Sequence, residues 1–401
     1  MSERSGLGDE ALRGVRAHTL RERNAALVFR VVREMRAVSR AEISTASGLS
    51  PGAVTKIVSQ LSEAGLLRAA PQPLGEREPG RPRLPLELDT DHYRVAGVHV
   101  GLRRTTVGLT DLLGEPVAET IVEHRSNDPE LLINEATSVL AGYRADLGER
   151  LLATGFCTGG WVDATAPLVR SHSVLGWRDV SLAPIQAAAG VPTFFDSSVR
   201  AHAQAEVQFG NARGLHNLLY VFIGNVVGAA HVVDGEVARG ANGAAGTIDH
   251  WPVRETAAQC ACGRNTCFWG AASDVAVAST ARAEALISAD EHVAELVQRS
   301  LTEDGVAAQA RGLLRSRAEA VGEAVASLVD FVDPETVVIG GTIRSDEELA
   351  AIRRSLEAHA SPATPLPEVA GSDFADAAVV RAAATVALVR VYADPLAFVA
   401  A

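Results

Sequence analysis

Apolar residues recur with a helical period between residues 24 and 70, whereas residues 1–22 are polar and show no clear period. We therefore predict a flexible tail over 1–22 and three short helices over 24–70. The predicted buried positions of the first helix are Leu27, Val28, Val31, Val32 and Met35.

The second and third helices are predicted from their start signals. Ser39 with Glu42 three residues later is a capping-box signature. Ser50 followed by Pro51 marks another helix start, since a proline in the first turn loses no hydrogen bond. Gly48 is placed to end the second helix. The predicted buried positions of the two helices are Ile43, Ala46, Leu49, Val54, Ile57, Val58 and Leu61.

Helix, short glycine-containing turn and helix is the arrangement of a helix-turn-helix. The outer face of the third helix carries small or hydrogen-bonding side chains suited to a major groove, and we predict DNA contacts by Gly52, Thr55, Lys56 and Ser59. A plain three-helix cap with a polar solvent face fits the same pattern.

The stretch after the third helix reads PQPLGEREPGRPRLPLEL over residues 71–88 and is rich in Pro, Gly and Arg. This composition favours an extended β wing over a helix. Arg81 and Arg83 are predicted to follow a minor groove, where the negative potential attracts Arg. An interdomain linker fits the same residues, and both interpretations can hold together.

From residue 93 the pattern changes to alternation, which predicts a β hairpin that turns at Gly114. A mixed α/β body is predicted beyond it, with a long helix over about 305–330 and an Ala/Val-rich helix over 374–392. The other predicted elements are a helix near 129–146, strands near 152–157, 191–195, 218–224 and 227–233, and a buried strand in FVDPETVVIGG.

Composition and charge narrow the class of protein. A 401-residue chain that is 47% hydrophobic and 21% charged can form two or three packed domains. The net charge of −12 argues against a chain that coats nucleic acid. Residues 1–90, however, hold 14 basic and 11 acidic side chains, so a basic head precedes an acidic body. We find no membrane-spanning run and no signal peptide, and expect a cytoplasmic protein.

Three of the four cysteines lie within DHWPVRETAAQCACGRNTC, residues 249–267. In a reducing compartment such clusters bind metal more often than they form disulfides. His250, Cys260, Cys262 and Cys267 provide a complete tetrahedral shell for a structural Zn²⁺, with no position left for water. Reduced, buried cysteines beside an unrelated histidine are the alternative. Cys157, in an apolar strand, is interpreted as packing.

The chain resembles the ROK family (repressor, open reading frame, kinase), and its N-terminal helix-turn-helix resembles the repressor branch. The resemblance rests on RGANGAAGTIDH (239–250), CACGRNTC (260–267), GWRDVSL (176–182) and DPETVVIGGTI (333–343). It implies a winged helix-turn-helix followed by an actin-like, ribonuclease H-like α/β body of two lobes with a sugar cleft between them. The implied domains are a tail (1–22), the head (23–90), a first lobe (91–200), a second lobe with the zinc loop (201–372) and a C-terminal helix that packs back on the body (373–401).

Several family motifs of the kinases do not carry over to this chain. The first phosphate loop, D-x-G-G-T in the kinases, is here His99 to Arg103, with Leu102 before the Arg. The second, L-G-T-G-x-G-G-G, is here IGNVVGAA over 223–230, with Val226 in place of a glycine. Phosphate loops need close backbone approach, so these side chains are expected to obstruct ATP.

The catalytic and sugar-binding motifs also depart from the family. The catalytic Asp of the kinase E-N-D-A-N segment corresponds to Ser198, which cannot serve alone as a general base at neutral pH. Two sugar-binding Glu positions correspond to Thr247 and Trp269. The resemblance therefore implies a non-enzymatic cleft in which Ser197, Ser198, Thr247 and His250 contact an effector.

The leading hypothesis is a DNA-binding transcriptional repressor of carbohydrate uptake or catabolism genes. It would bind a double-stranded operator as a homodimer or higher oligomer and respond to a sugar or sugar derivative. A sugar kinase with an added DNA-binding module is one alternative. A regulator of a non-sugar or anionic ligand, or of a protein partner, is another, since Arg200 could attract an anion if it is not merely a surface charge.

Overall fold

The computed structural model describes residues 17–71, 85–343, 345–374 and 378–399. The head consists of α1 (Ala17–Met35), α2 (Arg40–Ser47), α3 (Pro51–Glu63), β1 (Leu67–Ala69) and β2 (Leu86–Leu88). Helix α1 begins within the predicted tail, because residues 17–22 continue the helix that the periodicity had placed from residue 24.

The predicted helix signals are confirmed. Ser39 and Glu42 form a reciprocal capping box, and Gly48 ends α2 with φ of 69°, a left-handed conformation that glycine adopts without strain. Ser50 caps α3, and its predicted apolar stripe is buried. Two burial predictions are wrong, since Ala46 and Met35 are exposed. The eight-residue α2 buries Ile43 and packs little of its remaining surface against neighbouring elements.

The wing is built on β1 and β2, which pair antiparallel with Leu67 opposite Leu88. Arg68 and Glu87 form an ion pair across this ladder at 2.7 Å. Val38 adds a bridge to Leu86 and so joins the wing to the segment before α2. Together with α2 and α3 these strands form a winged helix-turn-helix. The predicted DNA contacts Arg81 and Arg83 lie outside the described residues.

The first lobe contains a five-stranded sheet and a small three-stranded sheet. Helices α4 and α5 cover one face, and α6 leads out of the last strand. In chain order the elements are β3 (Arg94–Val100), β4 (Arg104–Thr110), β5 (Pro116–Glu123), α4 (Pro129–Leu147), β6 (Leu151–Thr158), β7 (Trp161–Asp163), β8 (Leu168–His172), β9 (Trp177–Ser181), α5 (Ala183–Ala189), β10 (Thr193–Ser197) and α6 (Ser198–Phe209).

The second lobe is built around another five-stranded sheet. Its longest helix packs against the helix that follows the fourth strand of this sheet in chain order. The elements are β11 (Leu218–Ile223), β12 (Val227–Val233), β13 (Glu236–Val237), α7 (Phe268–Ala272), α8 (Asp274–Ala283), α9 (Val293–Ser300), α10 (Gly305–Val332), β14 (Thr336–Gly341), α11 (Asp346–His359) and β15 (Glu368–Gly371).

The two large sheets share one topology. The first has the strand order β10-β6-β3-β4-β5 and the second has β13-β12-β11-β14-β15. In each, the first three strands form an antiparallel meander and the last two add in parallel beside the first strand. This duplication is the actin-like, two-lobed body. Gly114 turns between β4 and β5 as predicted, and β3 and β4 form a further hairpin before it.

The C-terminal helix α12 (Ala378–Ala393) packs on the first-lobe sheet. It lies so close that a Cβ built on Gly155 of β6 would stand 2.0 Å from the Ala383 carbonyl oxygen. Its far end contacts the head: the Phe29 and Tyr392 ring centroids are 6.0 Å apart, and one hydrophobic cluster joins α1, α3, β3, β6 and α12. The head and the first lobe therefore share a core.

In the part of the chain that the structure describes, none of the helices combines the length and the apolar character that crossing a bilayer requires.

Candidate effector cleft and metal centre

A cavity of about 470 Å³ opens between the lobes. Its walls come from the β7–β9 sheet and the start of α6 on one side, and from the β11–β12 turn and the segment 244–250 on the other. A volume of this size suits a small polar molecule. Three of the four predicted effector residues, Ser197, Thr247 and His250, line it.

The hydroxyls of Ser197 and Thr247 already form hydrogen bonds within the protein. Ser197 is 5% exposed and its Oγ caps α6 by accepting from the Arg200 amide. Thr247 donates to the Ala244 carbonyl at 2.9 Å and keeps lone pairs for a ligand. Ser198 is 3% exposed and is not among the lining residues, since it begins α6 on the side turned into the protein. Effector binding by these positions stays a prediction.

Arg200 is neither a surface charge nor a free cation. It is 3% exposed, and its Nε donates to Asp196 Oδ1 at 2.5 Å. The other carboxylate oxygen of Asp196 accepts from Arg239 at 2.9 Å. Because the carboxylate is shared by two guanidinium groups, Asp196 offers no free base and Arg200 offers no unpaired charge to a ligand.

The sequence placed Trp269 at a sugar-binding position but gave no role to the other two tryptophans of the cleft, Trp161 and Trp177. Trp161, Trp177 and Trp269 all line it, and an aromatic surface can stack against the apolar face of a sugar ring. His172 also lines it, and burial lowers its pKa to about 4, so the imidazole is neutral. Its Nδ1 accepts from the Leu175 amide at 3.2 Å. Trp177 lies within GWRDVSL, and Trp269 follows CACGRNTC by two residues.

Asp249 is a further lining residue that the sequence did not single out. Its Oδ2 lies 3.5 Å from His250 Nε2, and its buried Oδ1 has no hydrogen-bond partner among the described residues. The cleft therefore contains a carboxylate in addition to its hydroxyl groups. This carboxylate could accept hydrogen bonds from ligand hydroxyls.

The region matching the first phosphate loop holds imidazoles where a carboxylate would be needed. Desolvation, with nearby His202 and Arg104, lowers the pKa of His99 to about 3. His202 is also buried and lies against the Phe222 ring, with centroids 5.3 Å apart. Neutral imidazoles cannot take the place of a carboxylate near Mg·ATP.

Of the three side chains expected to obstruct phosphates, only Val226 lies on the cleft. Its Cγ1 lies 3.1 Å from the position that a Cβ on Gly159 would take. Leu102 instead packs against the first-lobe core, and Arg103 is exposed. Neither side chain lines the interlobe cleft, and their obstruction of a phosphate site stays a prediction.

The predicted metal ligands converge in a compact cluster. The donor atoms of His250, Cys260, Cys262 and Cys267 all lie within 4.8 Å of one another. Cys260 Sγ is 3.4 Å from His250 Nδ1, and Cys262 Sγ is 3.4 Å from Cys267 Sγ. A tetrahedral zinc with four such ligands requires ligand separations of about 3.7 Å. The cluster therefore fits a closed, four-coordinate metal.

Two neighbouring side chains, Asp249 and Arg264, favour metal binding by these ligands. With Nδ1 turned toward the thiols, His250 presents Nε2 to Asp249, an arrangement in which a carboxylate orients a metal-binding histidine. Arg264 Nε lies 3.3 Å from Cys262 Sγ and lowers the pKa of that thiol to about 6, which favours the thiolate a metal requires.

The cluster is tied to the body by its last cysteine. Cys267 precedes α7, pairs with Pro252, and is followed by the fully buried Phe268. A metal here would hold the loop, α7 and the neighbouring Trp269 of the cleft in one arrangement.

The candidate DNA-contacting face lies on α3 in the head, far from the metal ligands in the sequence. Gly52, Thr55, Lys56 and Ser59 are all exposed, whereas Val54, Ile57, Val58 and Leu61 are buried on the opposite side. The Thr55 hydroxyl donates to the Pro51 carbonyl at 2.8 Å. The helix thus presents its small and polar side chains together, as a recognition helix must.

Comparisons with known proteins agree with this architecture. The ROK family profile matches residues 95–389. Transcriptional regulator Rv0485 of Mycobacterium tuberculosis is 32% identical, over 93% of this chain and 86% of its own length. The DNA-binding transcriptional repressor Mlc of Escherichia coli is 25% identical, over 86% and 87%.

Some solved structures align with nearly the whole chain, and others align with about three quarters of it. A ROK-family transcriptional regulator described as a homologue of Mlc aligns with a TM-score of 0.78 and 23% identity, over 95% of this chain and 99% of its own. The ROK hexokinase of Thermus thermophilus aligns with a TM-score of 0.60 and 24% identity, over 74% and 99%. A kinase-like body and a preceding head are thus both accounted for, and the chain belongs to the ROK family.

Proposed function

We propose that this ROK protein is a transcriptional regulator that binds operator DNA through α3 and the wing as a homodimer. The exposed polar face of α3, set on a buried apolar stripe, carries the proposal. The near full-length similarity to proteins named as regulators supports it. Two heads are needed because one recognition helix reads too few base pairs for a unique site.

Enrichment of sheared genomic DNA by the purified chain tests this proposal. A regulator should recover a small set of duplexes that share a two-fold-related sequence, and the neighbouring genes would identify the pathway. Recovery of DNA without any common sequence, at salt concentrations that suppress non-specific binding, would contradict it.

The metal of the proposed regulator is a structural Zn²⁺ bound by His250, Cys260, Cys262 and Cys267. The closed set of three sulfurs and one nitrogen is the support, because it leaves no position for a reacting water. Its role is to hold the loop that borders the cleft, where Zn²⁺ would supply rigidity and no chemistry.

The proposed effector is a sugar or sugar derivative that binds in the interlobe cleft. The lining tryptophans and the Asp249 carboxylate support this class, since sugars present both apolar ring faces and hydroxyl donors. Arg200 does not favour an anionic ligand there, because Asp196 neutralises it.

Intrinsic fluorescence should report effector binding. Three of the four tryptophans line the cleft, so a bound sugar is expected to shift the emission in a saturable manner. Thr247→Trp would fill the cleft and should abolish the shift, whereas Arg150→Gln on the distant surface should preserve it. A panel of neutral sugars that leaves the emission of the wild-type chain unchanged would refute a sugar-responsive cleft.

We further propose that the chain has no sugar kinase activity. The kinase base corresponds to Ser198, whose side chain is buried away from the cleft, and Asp196 is held by two arginines. Positioning and charge neutralisation dominate phosphoryl transfer, so an unsuitable phosphate site is as damaging as a missing base.

Ser198→Asp is therefore expected to give no activity, although a general base alone is typically worth about 10²–10⁴-fold. The new carboxylate would be buried near Cys157 and His202, and should lower the thermal stability. Coupled-enzyme detection of ADP with a sugar panel measures the activity. ATP-dependent phosphorylation by the wild-type chain that Ser198→Ala abolishes would establish a kinase instead.

A further inference from the structure

A second large cavity, of about 670 Å³, lies where the head meets the body. One wall is formed by α1 and the others by α6, the segment 213–216, the β12–β13 turn and α12. It shares no lining residue with the interlobe cleft. We call it the junction cavity.

The inner wall of the junction cavity contains a cation, Arg33, that forms no ion pair with a described carboxylate. Arg33 of α1 is partly buried, its Nη1 donates to Gln208 Oε1 at 2.9 Å, and its guanidinium carbon lies 4.2 Å from the centre of the Tyr392 ring. No carboxylate of the described residues lies within 4.0 Å of it. A guanidinium held flat by an aromatic ring keeps its remaining N–H groups available for an oxyanion.

Gln204 supplies an amide to the same cavity that Arg33 lines. It stands one helical turn before Gln208 on α6, is 5% exposed and lines the cavity. Within the described part of the chain its side chain has no hydrogen-bond partner. Gln204 also has no polar atom that is both fully buried and unpaired, so its amide is accessible from the cavity and free to bind a polar molecule there.

The rim of the junction cavity carries both signs of charge. Arg23, Arg30 and Arg213 are exposed and form no ion pair with any described carboxylate. Glu34, Asp234 and Glu236 also line the rim without an ion pair to the described basic residues. Opposite charges that stay apart across a cavity favour a ligand with both an oxyanion and hydrogen-bond donors.

We propose that the junction cavity is a second ligand site, for a small metabolite that carries a phosphate or carboxylate group together with hydroxyl or amino donors. The oxyanion binds Arg33 and Gln204 at the inner wall, and the donors meet the acidic rim. The bound ligand would bridge α1 to α6, a helix whose first residues line the interlobe cleft. The site thus lies on the connection between cleft and head.

Calorimetric titration of the full-length chain with inorganic phosphate, and separately with succinate, tests the site. We expect saturable binding of at least one of the two at millimolar concentrations, and the one that binds identifies the oxyanion class. Arg33→Gln removes the cation, and Gln204→Glu places a carboxylate beside it. Each should weaken binding by about tenfold or more, as expected for the loss of a charged hydrogen bond.

Two further variants keep the test decisive. Arg30→Gln changes only an exposed rim residue and should weaken binding without affecting the fold, whereas Arg125→Gln, outside both cavities, should bind as the wild type does. Thermal unfolding of each variant shows whether it is folded. Absence of saturable binding of both anions, or equal binding by Arg33→Gln, Gln204→Glu and the wild type, would overturn the proposal.

A regulatory effect of this ligand rests on the proposed function. If phosphate or succinate binds, operator affinity measured with and without it should differ in the wild type and not in Arg33→Gln. A chain that binds the anion but no DNA would refute the proposed function and leave the site intact.

Discussion

Lys56→Glu should reduce operator affinity by about a hundredfold or more, while the thermal unfolding midpoint stays within a degree or two of the wild type. Lys56 is exposed in the centre of the predicted recognition face of α3, and its side chain has no ion-pair partner among the described residues. The substitution replaces attraction to the DNA by repulsion, and it does so twice in a dimer.

Arg150→Glu is the matched control, since it makes the same change of charge on an exposed residue of the first lobe. Electrophoretic mobility shift or anisotropy titrations at several salt concentrations measure both variants. If the two variants lose affinity equally, α3 is not the recognition helix. Lys56→Ala separates the roles: loss of a phosphate contact would lower the salt slope for every sequence, whereas loss of a base contact would relax sequence choice.

Cys267→Ser should reduce the zinc content from about one per chain to nearly none and destabilise the chain by about 3 kcal/mol or more. For domains of this size the unfolding midpoint would fall by about 6–12 °C. The effect is large because Cys267 is buried and directly precedes α7, whose Phe268 belongs to the second-lobe core.

Cys157→Ala provides the control, because Cys157 is buried in β6 and lies outside the cluster. It should keep its zinc even if its stability falls. Metal analysis of the purified chain, calorimetry and tryptophan emission are the measurements, and emission should change only in Cys267→Ser, through Trp269. A zinc-free preparation with an unchanged melting curve would rule out a structural metal.

Local sequence signals predicted the head and the metal cluster well. Caps such as Ser39 with Glu42 act within one helical turn, so a single sequence contains all the information they need. All four metal ligands likewise fall within eighteen residues. The loop between them is short enough to bring the donor atoms together.

The environment of the cleft could not be predicted in the same way. Whether Arg200 is free to bind a ligand depends on its ion pair with Asp196, which Arg239 also contacts from a distant segment. Whether Ser198 faces the cleft depends on how α6 turns out of β10, and Asp249 gains its importance only where two lobes meet. Such properties arise from long-range packing, which periodicity does not encode.

The core shared by α1, the first lobe and α12 limits which segments of this protein can be removed or exchanged without loss of stability. A head cut away before β3 would leave Leu112, Val391 and Tyr392 without the apolar partners that α1 provides. Chimaeras that exchange whole heads between relatives should therefore lose stability unless the C-terminal helix is exchanged with them. Exchanging only the exposed residues of α3 would transfer operator specificity and leave the shared core intact.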